Sequence, residues 1–512
     1  MPERAGLYMG RVRITADYED VTDENVLTIL RESEAAYLFN KAQMLYLWRY
    51  YKGDQPVLGR KKDVRPSINN RIVENHAQEI VNFKIGYQLA EPLQYTLRNH
   101  EGTTGPEGGE GETDERYGAH LSDLNELNSL MEARDKAPLD RDLFEHMCVC
   151  GVGYRLVEAA RDPEEAPFDL FTLDPWSTYV VYSSAYHGAP LMAVWVGKEQ
   201  DNSRRDVYNV YTRDAYYLVV GNEIVEKSRH TYSGIPIIEY QLNGARMGVF
   251  EPVLSLLDAI NALESSRMDG IEQTVQSLMK FVNCDVDEAT FEAMLQLGAV
   301  KVNSPEGKDA DVDFIVNELD QTQTQVTKDD LYQAIVNICG MPNRSSSGAS
   351  TSDTGAAVLL RDGWTLAESH AKSYELQFKR AERRFLRVVL GICEQSADVS
   401  VELRLRDIEL TFNRRNYENV ATKAQVLTGM LACDSIHPEL AFRSCGLFTD
   451  PEAAYLQSRR WTEERKREGV ETALRIAGAQ EEPEPPSADA PAPATPDLEK
   501  GDDATAHAAA NA

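Results

Sequence analysis

The sequence contains no long apolar run. No stretch of about 18 consecutive apolar residues occurs, so a membrane-spanning helix is not expected. The opening residues, MPERAGLYMGRVRITADYED, also lack the charged-then-apolar layout of a signal peptide, so export is not expected.

Cysteine is scarce and scattered. The chain has 7 cysteines, an odd number, and Cys148 and Cys150 form the one C-x-C pair. No second pair or nearby histidine cluster completes a metal site. We therefore expect reduced thiols in the core of a cytoplasmic protein.

Motifs that carry enzyme chemistry are also missing. The stretch GPEGGEGET resembles a phosphate-binding loop, but its spacing fails and Glu112 stands where a lysine is required. Neither H-E-x-x-H nor G-x-S-x-G occurs, and no His/Asp pair lies near Ser345–Ser347. We expect no catalytic residue, no metal and no cofactor.

Positive charge is in short supply. The chain has 83 acidic and 53 basic residues, a formal net charge of −30. Tight binding to nucleic acid requires lysine and arginine at the phosphates, so this composition argues against a protein that grips DNA. It remains compatible with a protein past which DNA slides.

The first half of the sequence mixes helices and strands. We predict a helix that starts after Thr22-Asp23, runs through 26–51 and ends near Gly53-Asp54. A second, over 69–91, is capped by Asn69 or Asn70 and stopped by Pro92. A strand in LQYTLR precedes a Gly/Glu-rich surface insertion over 100–118, whose role the sequence leaves open. Helices near 119–134 and 138–150 lead into seven alternating strand-like runs over 151–240.

The second half is mainly helical. A helix over 250–283 leads into an acidic module, 284–320, with ten acidic residues and two lysines, and a helix follows over 321–340. A Ser/Gly/Thr-rich loop, 341–353, then precedes a long helix over 354–396. One or two strands follow within 397–415, and two or three helices shorter than the long one within 416–475. A disordered acidic Pro/Ala tail follows over 476–512.

The order of these segments resembles a known family. The segments that carry the likeness are YYKGD before a basic connector, NNRIVENHAQEIVNFKIGYQLAEP, GIPIIEY before FEPVLSLLDAINALESSRMDGIEQ, TGAAVLL and IELTFNRRNYEN. Over roughly 25–450, this ordered set resembles the portal proteins of siphophage-type tailed bacteriophages, which are head-to-tail connectors. The chain departs from the family at Ala90-Glu91-Pro92, where Gly-x-Pro is frequent, and at Thr354-Gly355, where Ser-Gly is usual.

The resemblance implies an α+β, mostly helical portal fold arranged as a ring. About twelve identical subunits would surround a channel for double-stranded DNA at one capsid vertex. It implies a wing over 1–250, stem helices over 250–283 and 321–340, a small α/β clip over 284–320 and a channel loop over 341–353. The long helix over 354–396 would cross the wing, 397–415 would add wing strands, and 416–475 would form a helical crown.

The resemblance also implies partners and site residues. The ring would bind the terminase large subunit, a head–tail adaptor, and the major capsid and scaffolding proteins, as part of a virion assembled in the bacterial cytoplasm. The candidate site residues fall into three groups. They are the DNA-channel loop residues Asn343, Arg344, Ser345, Ser346, Ser347 and Ser350; the acidic clip residues Asp285, Asp287, Glu288, Asp309, Asp311 and Asp313; and the stem or interface residues Leu256, Leu257, Ile260 and Leu263.

The loop and the stem residues each have a simpler structural interpretation. The loop could be a plain linker between helices, and the apolar stripe of the stem could face its own subunit's core. The basic run over 372–387 places Arg380, Arg383, Arg384 and Arg387 on one helical face. This face is either solvated or paired with acidic groups of a neighbouring subunit.

Two other functions remain open for the whole chain. Its acidic clusters could hold Mg²⁺ in a DNA-processing enzyme. It could also be another structural component of a phage head or tail. A nuclease should place its carboxylates at strand ends beside lysine, a pattern that the sequence lacks.

Overall fold

The computed structural model describes most of the chain. The described residues are 9–98, 110–198, 205–275, 278–282, 292, 311–315, 321–342, 363–397, 399, 401–412, 414, 420–448 and 451–478. The chain forms two compact units, residues 1–423 and 424–512.

Seven helices lie within the described part of the first unit. They are α1 (Val26–Tyr51), α2 (His76–Gln88), α3 (Glu110–Ala133), α4 (Lys136–Cys150), α5 (Leu254–Val275), α6 (Gln321–Cys339) and α7 (Trp364–Gln395). Buried residues recur three or four positions apart along α1, including Val26, Leu30, Tyr37 and Met44. This spacing places them on one face, which packs into the core.

The strands form four sheets. The bounds are β1 (Thr15–Ala16), β2 (Gln94–Leu97), β3 (Val152–Ala159), β4 (Phe168–Leu173), β5 (Thr178–Ser183), β6 (Pro190–Lys198), β7 (Asp206–Tyr211), β8 (Ala215–Val220), β9 (Glu223–Arg229), β10 (Ile237–Gln241), β11 (Leu278–Val282), β12 (Asp311–Ile315) and β13 (Ile408–Thr411). The largest has the order β1-β5-β6-β7-β8-β9, in which β1 pairs parallel to β5 and the other neighbours pair antiparallel. The smaller sheets are β10-β3-β4, β11-β12 and β13-β2.

The six-stranded sheet contributes to two hydrophobic clusters, one on each face. Tyr179 and Val181 of β5 belong to the cluster that contains the N-terminal half of α1. Val180 and Tyr182 belong to the main cluster, which contains α4, α7 and β10. Successive strand residues point to opposite faces, so β5 is covered on both sides.

The second unit contains only helices among its described residues. Helix α8 (Val420–Leu431) crosses the boundary between the units, and α9 (Pro438–Cys445) and α10 (Pro451–Gly478) follow. Phe442 of α9 packs against Phe448 and Tyr455, with ring centroids 5.3 and 5.9 Å apart. Each of the three is shorter than α7, as predicted for the helices after the last strand.

Many sequence predictions agree with this structure. The α+β class is confirmed, as are α1, strand β2 and the seven strand-like runs between 151 and 240. The prediction of core thiols holds for five of the six described cysteines, with Cys433 exposed. The predicted tail after Gly478 lies outside the described residues.

The second predicted helix begins later than expected, at His76 instead of Asn69 or Asn70. Three side chains on successive turns of α5 accept backbone N–H groups from alternate residues before α2. The pairs, with their N···O distances, are Glu74 with Asn261 (2.8 Å), Ile72 with Ser265 (2.9 Å) and Asn70 with Asp269 (2.7 Å). Four helical residues rise about 6 Å and two extended residues about 6.6 Å, so the two spacings nearly match. This ladder holds 70–74 out of the helix.

Other boundaries also differ. The helix predicted over 250–283 ends at Val275, and Leu278–Val282 form a strand that pairs with Asp311–Ile315. Helix α3 begins at Glu110, inside the predicted surface insertion. The described part of the predicted long helix begins at Trp364, after Gly363, whose φ of 81° lies outside the helical region. Residues 354–362 of that prediction lie outside the described residues. Only one strand, β13, follows this helix in the described residues.

Candidate nucleic-acid interface

The structure describes only part of the candidate site. All six loop residues lie outside the described residues, as do the clip residues Asp285, Asp287, Glu288 and Asp309. Asp311 and Asp313 lie on β12, where Asp313 is the register partner of Lys280 on β11. Leu256, Leu257, Ile260 and Leu263 lie on α5.

The two ends of the segment 343–362 lie at one place. This segment includes most of the predicted channel loop and the first residues of the predicted long helix. A Cβ added at Gly363 would lie 3.7 Å from the carbonyl oxygen of Met341 and 3.8 Å from the Cα of Pro342. Both Met341 and Pro342 are buried. The segment therefore begins and ends on one packed base, which we call the loop root, comprising 340–342 and 363–364.

A buried lysine holds the entry side of the loop root. The Lys84 ammonium, on α2, donates a hydrogen bond to the carbonyl oxygen of Gly340 at 3.0 Å. Burial lowers the pKa of Lys84 to about 8. Gly340 follows the last residue of α6, so the charge lies at the negative end of that helix.

Gly340 is required at this position for two reasons. Its φ of 60° is left-handed, and a Cβ there would lie 2.9 Å from the His370 ring of α7. Burial lowers the pKa of His370. The end of α6 is therefore packed directly against the first turns of α7.

Aromatic and charged contacts hold the exit side. The Trp364 ring lies 6.2 Å from that of Phe83 and 5.8 Å from that of Tyr87. The Tyr87 hydroxyl donates to Glu368 at 2.8 Å, and Arg414 also contacts Glu368 at 3.1 Å. Helix α2 thus contacts both sides of the loop root.

Helices α5 and α6 pack against each other and are tied by charge. Lys328 of α6 contacts Glu264 of α5 at 3.1 Å and Glu74 at 3.0 Å. Nearby, Asp269 contacts Arg60 at 3.0 Å and Lys62 at 2.9 Å. Burial opposes its ionisation, but hydrogen bonds from Asn70 and Lys62 lower the pKa of Asp269. These two cations of the basic connector are therefore neutralised within the chain.

The apolar stripe of α5 faces two ways. Leu257 and Ile260 are buried in the chain's own core, whereas Leu256 and Leu263 are half-buried. On the same helix Met268 and Ile271 are each 40% exposed. The apolar stripe could contact a neighbouring subunit or its own core, and Leu257 and Ile260 face their own core.

Sequence reasoning missed a buried ion network centred on Glu382 of α7. Its carboxylate accepts hydrogen bonds from Tyr95 (2.6 Å) and Tyr240 (2.5 Å) and contacts Lys136 at 3.0 Å. Lys136 and Arg155 both contact Asp140, at 2.7 and 2.5 Å. The signal was present, since Glu382 interrupts the apolar face formed by Phe378, Ala381 and Phe385.

The same network fixes the orientation of α7. Burial opposes the charge on Glu382, but the nearby Lys136 and Arg155 cations lower the pKa of its carboxyl group. Two cations and two carboxylates therefore balance in the core. The network joins α7 to α4 and to strands β2, β3 and β10.

The described residues contain no group of three or more His, Cys, Asp or Glu side chains placed to hold a metal ion. Nor is any helix among them long and apolar enough to cross a membrane. What the geometry offers is a rigid base from which the 343–362 segment departs.

Comparisons with known proteins found a matching family model and similar solved structures. A family model described as "Phage portal protein, SPP1 Gp6-like" matches residues 33–471. A search of curated proteins found no match. One similar solved structure is titled "Neck of empty GTA particle computed with C6 symmetry". It is 14% identical, with 79% of this chain and 94% of that chain covered and a TM-score of 0.44.

Proposed function

The chain belongs to the SPP1 Gp6-like phage portal protein family, and from this premise we propose that it forms the ring through which double-stranded DNA enters and leaves the capsid. The family is structural, and its members are head–tail connectors of bacteriophages. The proposal extends this role to a specific assembly: about twelve subunits in head-to-tail contact around a central channel.

The domain assignment carries over to the observed elements. The wing comprises 1–250, with the six-stranded sheet, and the stem comprises α5 and α6. Strand β12 belongs to the clip, 284–320, and pairs with β11 at the end of the stem segment 250–283. Helix α7 crosses the wing from the loop root, β13 adds a wing strand, and the helices after 416 form the crown.

The loop root is the observation that carries the channel proposal. A segment of 20 residues, 343–362, departs from and returns to a base built by α2, α6 and α7. Within it, the predicted channel loop supplies small donors for phosphate oxygens, and one cation. They are Asn343, Arg344, Ser345–Ser347 and Ser350. About twelve such loops would touch DNA at many points without reading bases.

Acidic charge in the clip would help DNA to slide through the channel. The clip, 284–320, carries eight more negative than positive residues, from ten acidic residues and two lysines. Like charges repel, so this surface keeps duplex DNA mobile where a basic one would retain it.

The partners proposed for the ring follow from this role. No P-loop is present, so the packaging motor is a separate terminase large subunit that binds the ring. A head–tail adaptor and the capsid and scaffolding proteins complete the vertex of the virion. A metal-dependent DNA-processing enzyme gains no support from the described side chains.

Electron microscopy of the purified protein tests the proposal directly. We expect rings with a central hole. Monomers or solid particles, in protein whose circular dichroism confirms folding, would remove the ring and the channel together.

A further inference from the structure

Five arginines on one surface of the first unit contact no carboxylate among the described residues. They are Arg13, just before β1, and Arg380, Arg383, Arg384 and Arg387 on α7. We call these five the arginine patch. In a chain with a formal charge of −30, so many cations without a carboxylate partner on one surface require an explanation.

Tyr182 of β5 joins the two parts of the arginine patch. The Arg13 guanidinium lies 4.2 Å from the centre of its ring. Burial raises the pKa of Tyr182, and the nearby Arg384 cation acts in the opposite direction. Arg13 also donates to the carbonyl oxygen of Gly188 at 2.6 Å. The helix and the edge of the sheet therefore present one continuous cationic surface.

The orientation of α7 directs these arginines outward. Arg380, Arg383 and Arg387 are spaced by three and four residues, so they share a face, and all three are exposed. Glu382, in the buried network, holds the opposite face in the core. Other cations of this helix are paired: Lys379, for example, contacts Glu375 at 2.7 Å.

Exposed carboxylates lie at the start of α1. Glu19, Asp20, Glu24 and Glu32 are exposed, and within the described part of the chain none contacts a cation. We call these four the acidic set. Neighbouring Asp23 differs, because Lys227 and Tyr217 bind its carboxylate.

Helix α1, which carries Glu32 of the acidic set, and the Tyr182 side chain at the arginine patch belong to opposite faces of the six-stranded sheet. Helix α1 packs with Tyr179 and Val181 on one face, whereas Tyr182, which lies near Arg13 and Arg384, packs in the cluster on the other face. A head-to-tail contact uses two different surfaces of each subunit, and surfaces on opposite faces suit that geometry.

We propose that the arginine patch of one subunit binds the acidic set of a second copy of this chain. The proposal rests on the ring assembly proposed above and names one of its contacts. Subunits of net charge −30 repel one another, so their association requires cations concentrated where they meet. Five arginines against four carboxylates nearly neutralise the contact, and guanidinium groups match carboxylates in geometry.

Charge reversal on each side tests this pairing. The patch variant carries Arg380→Glu, Arg383→Glu and Arg387→Glu, and the acid variant carries Glu19→Lys, Glu24→Lys and Glu32→Lys. The control, Arg161→Glu, Arg213→Glu and Arg404→Glu, makes the same charge change at exposed residues elsewhere. Native mass spectrometry at ionic strength below about 0.1 M, where screening is weak, measures the assembly.

We expect the patch variant and the acid variant each to give monomers, the control to give rings, and a chain with both sets of substitutions to recover rings. With wild-type rings present, intact rings in the patch variant would overturn the contact. So would loss of rings that the combined variant does not restore. Absence of wild-type rings would instead overturn the proposed function.

Two further measurements complete the test. If a triple variant fails to fold by circular dichroism, single Arg→Gln changes at 380, 383 and 387 replace it. We then expect rings that dissociate at lower salt than the wild type, and unchanged dissociation would contradict the contact. Fluorescence anisotropy with duplex DNA tests whether the arginine patch instead binds DNA phosphates. Rings that persist in the patch variant but bind DNA more weakly would assign the patch to phosphates and overturn the subunit contact.

Discussion

The ammonium of Lys84 lies 3.0 Å from the carbonyl oxygen of Gly340, at the point where α6 ends. Lys84 is only 5% exposed, and no carboxylate contacts it within the described residues. The carbonyl groups at the end of a helix carry partial negative charge, which accounts for an unpaired cation here. This contact fixes the entry to the 343–362 segment, so its strength bears on both stability and the proposed channel.

The stability contributed by Lys84 should depend on pH. Burial lowers its pKa to about 8 in the folded chain, whereas the ordinary value is 10.5. Between these two pH values the unfolded chain therefore binds more protons than the folded chain. The free energy of unfolding of the wild type should therefore rise with pH relative to Lys84→Met, by roughly 3 kcal/mol in all. His370, Cys339 and Cys148 face this ammonium and are common to both proteins. Urea denaturation at several pH values measures the difference, and a constant difference would contradict it.

Removing the charge of Glu382 should destabilise the first unit strongly. Glu382→Gln keeps the shape but leaves Lys136 and Arg155 with one buried carboxylate, and breaking a buried ion pair costs about 3–5 kcal/mol. Glu394→Gln, at an exposed position on the same helix, should change stability by less than about 0.5 kcal/mol. Equal urea midpoints for the two variants would show that the buried ion network does not contribute to the stability of the first unit.

Substitutions at two positions of α5 distinguish burial in the chain's own core from contact between subunits. Leu257 is 2% exposed and Met268 is 40% exposed. Leu257→Asp buries an unpaired charge, so we expect insoluble or unfolded protein. Met268→Asp should fold, and if the exposed face of α5 lies between subunits it should give monomers in native mass spectrometry. Soluble, folded Leu257→Asp would contradict the core assignment.

Charge in the channel loop should matter for DNA but not for assembly. Arg344→Glu reverses one charge per subunit, a change of about −24 in a ring of about twelve, close to the phosphates, where screening is weak. We expect rings that form normally but package DNA poorly or lose it afterwards. The matched change Ser346→Ala removes a hydroxyl without altering charge and should be mild. Normal packaging by Arg344→Glu rings would favour the plain linker.

Purified rings should bind duplex DNA weakly. The acidic clip and the net charge of −30 repel phosphates, and affinity for them depends on cationic contacts. Anisotropy titrations at physiological salt should give no nanomolar binding. Tight, salt-sensitive retention would contradict a sliding channel.

Local pattern was sufficient for much of this protein. The apolar spacing along 26–51 determines α1, because one face of that helix must be buried. Alternation determines the strand Phe168–Leu173, and turn residues on either side bound Thr178–Ser183, which is buried on both faces. The ordered set of segments indicated the family, which the family model over 33–471 confirms. These properties depend on neighbours in the chain, which a sequence displays directly.

Partners distant in the chain decided the rest. Residues 70–74 remain extended because Asn261, Ser265 and Asp269 take their N–H groups, although their own sequence favours a helix. Leu278–Val282 form a strand because Asp311–Ile315 supply a partner. Glu382 is stable in the core because Lys136 and Arg155 approach from other elements. In each case the free energy comes from hydrogen bonds or charges that only folding brings together, so a local pattern cannot contain it.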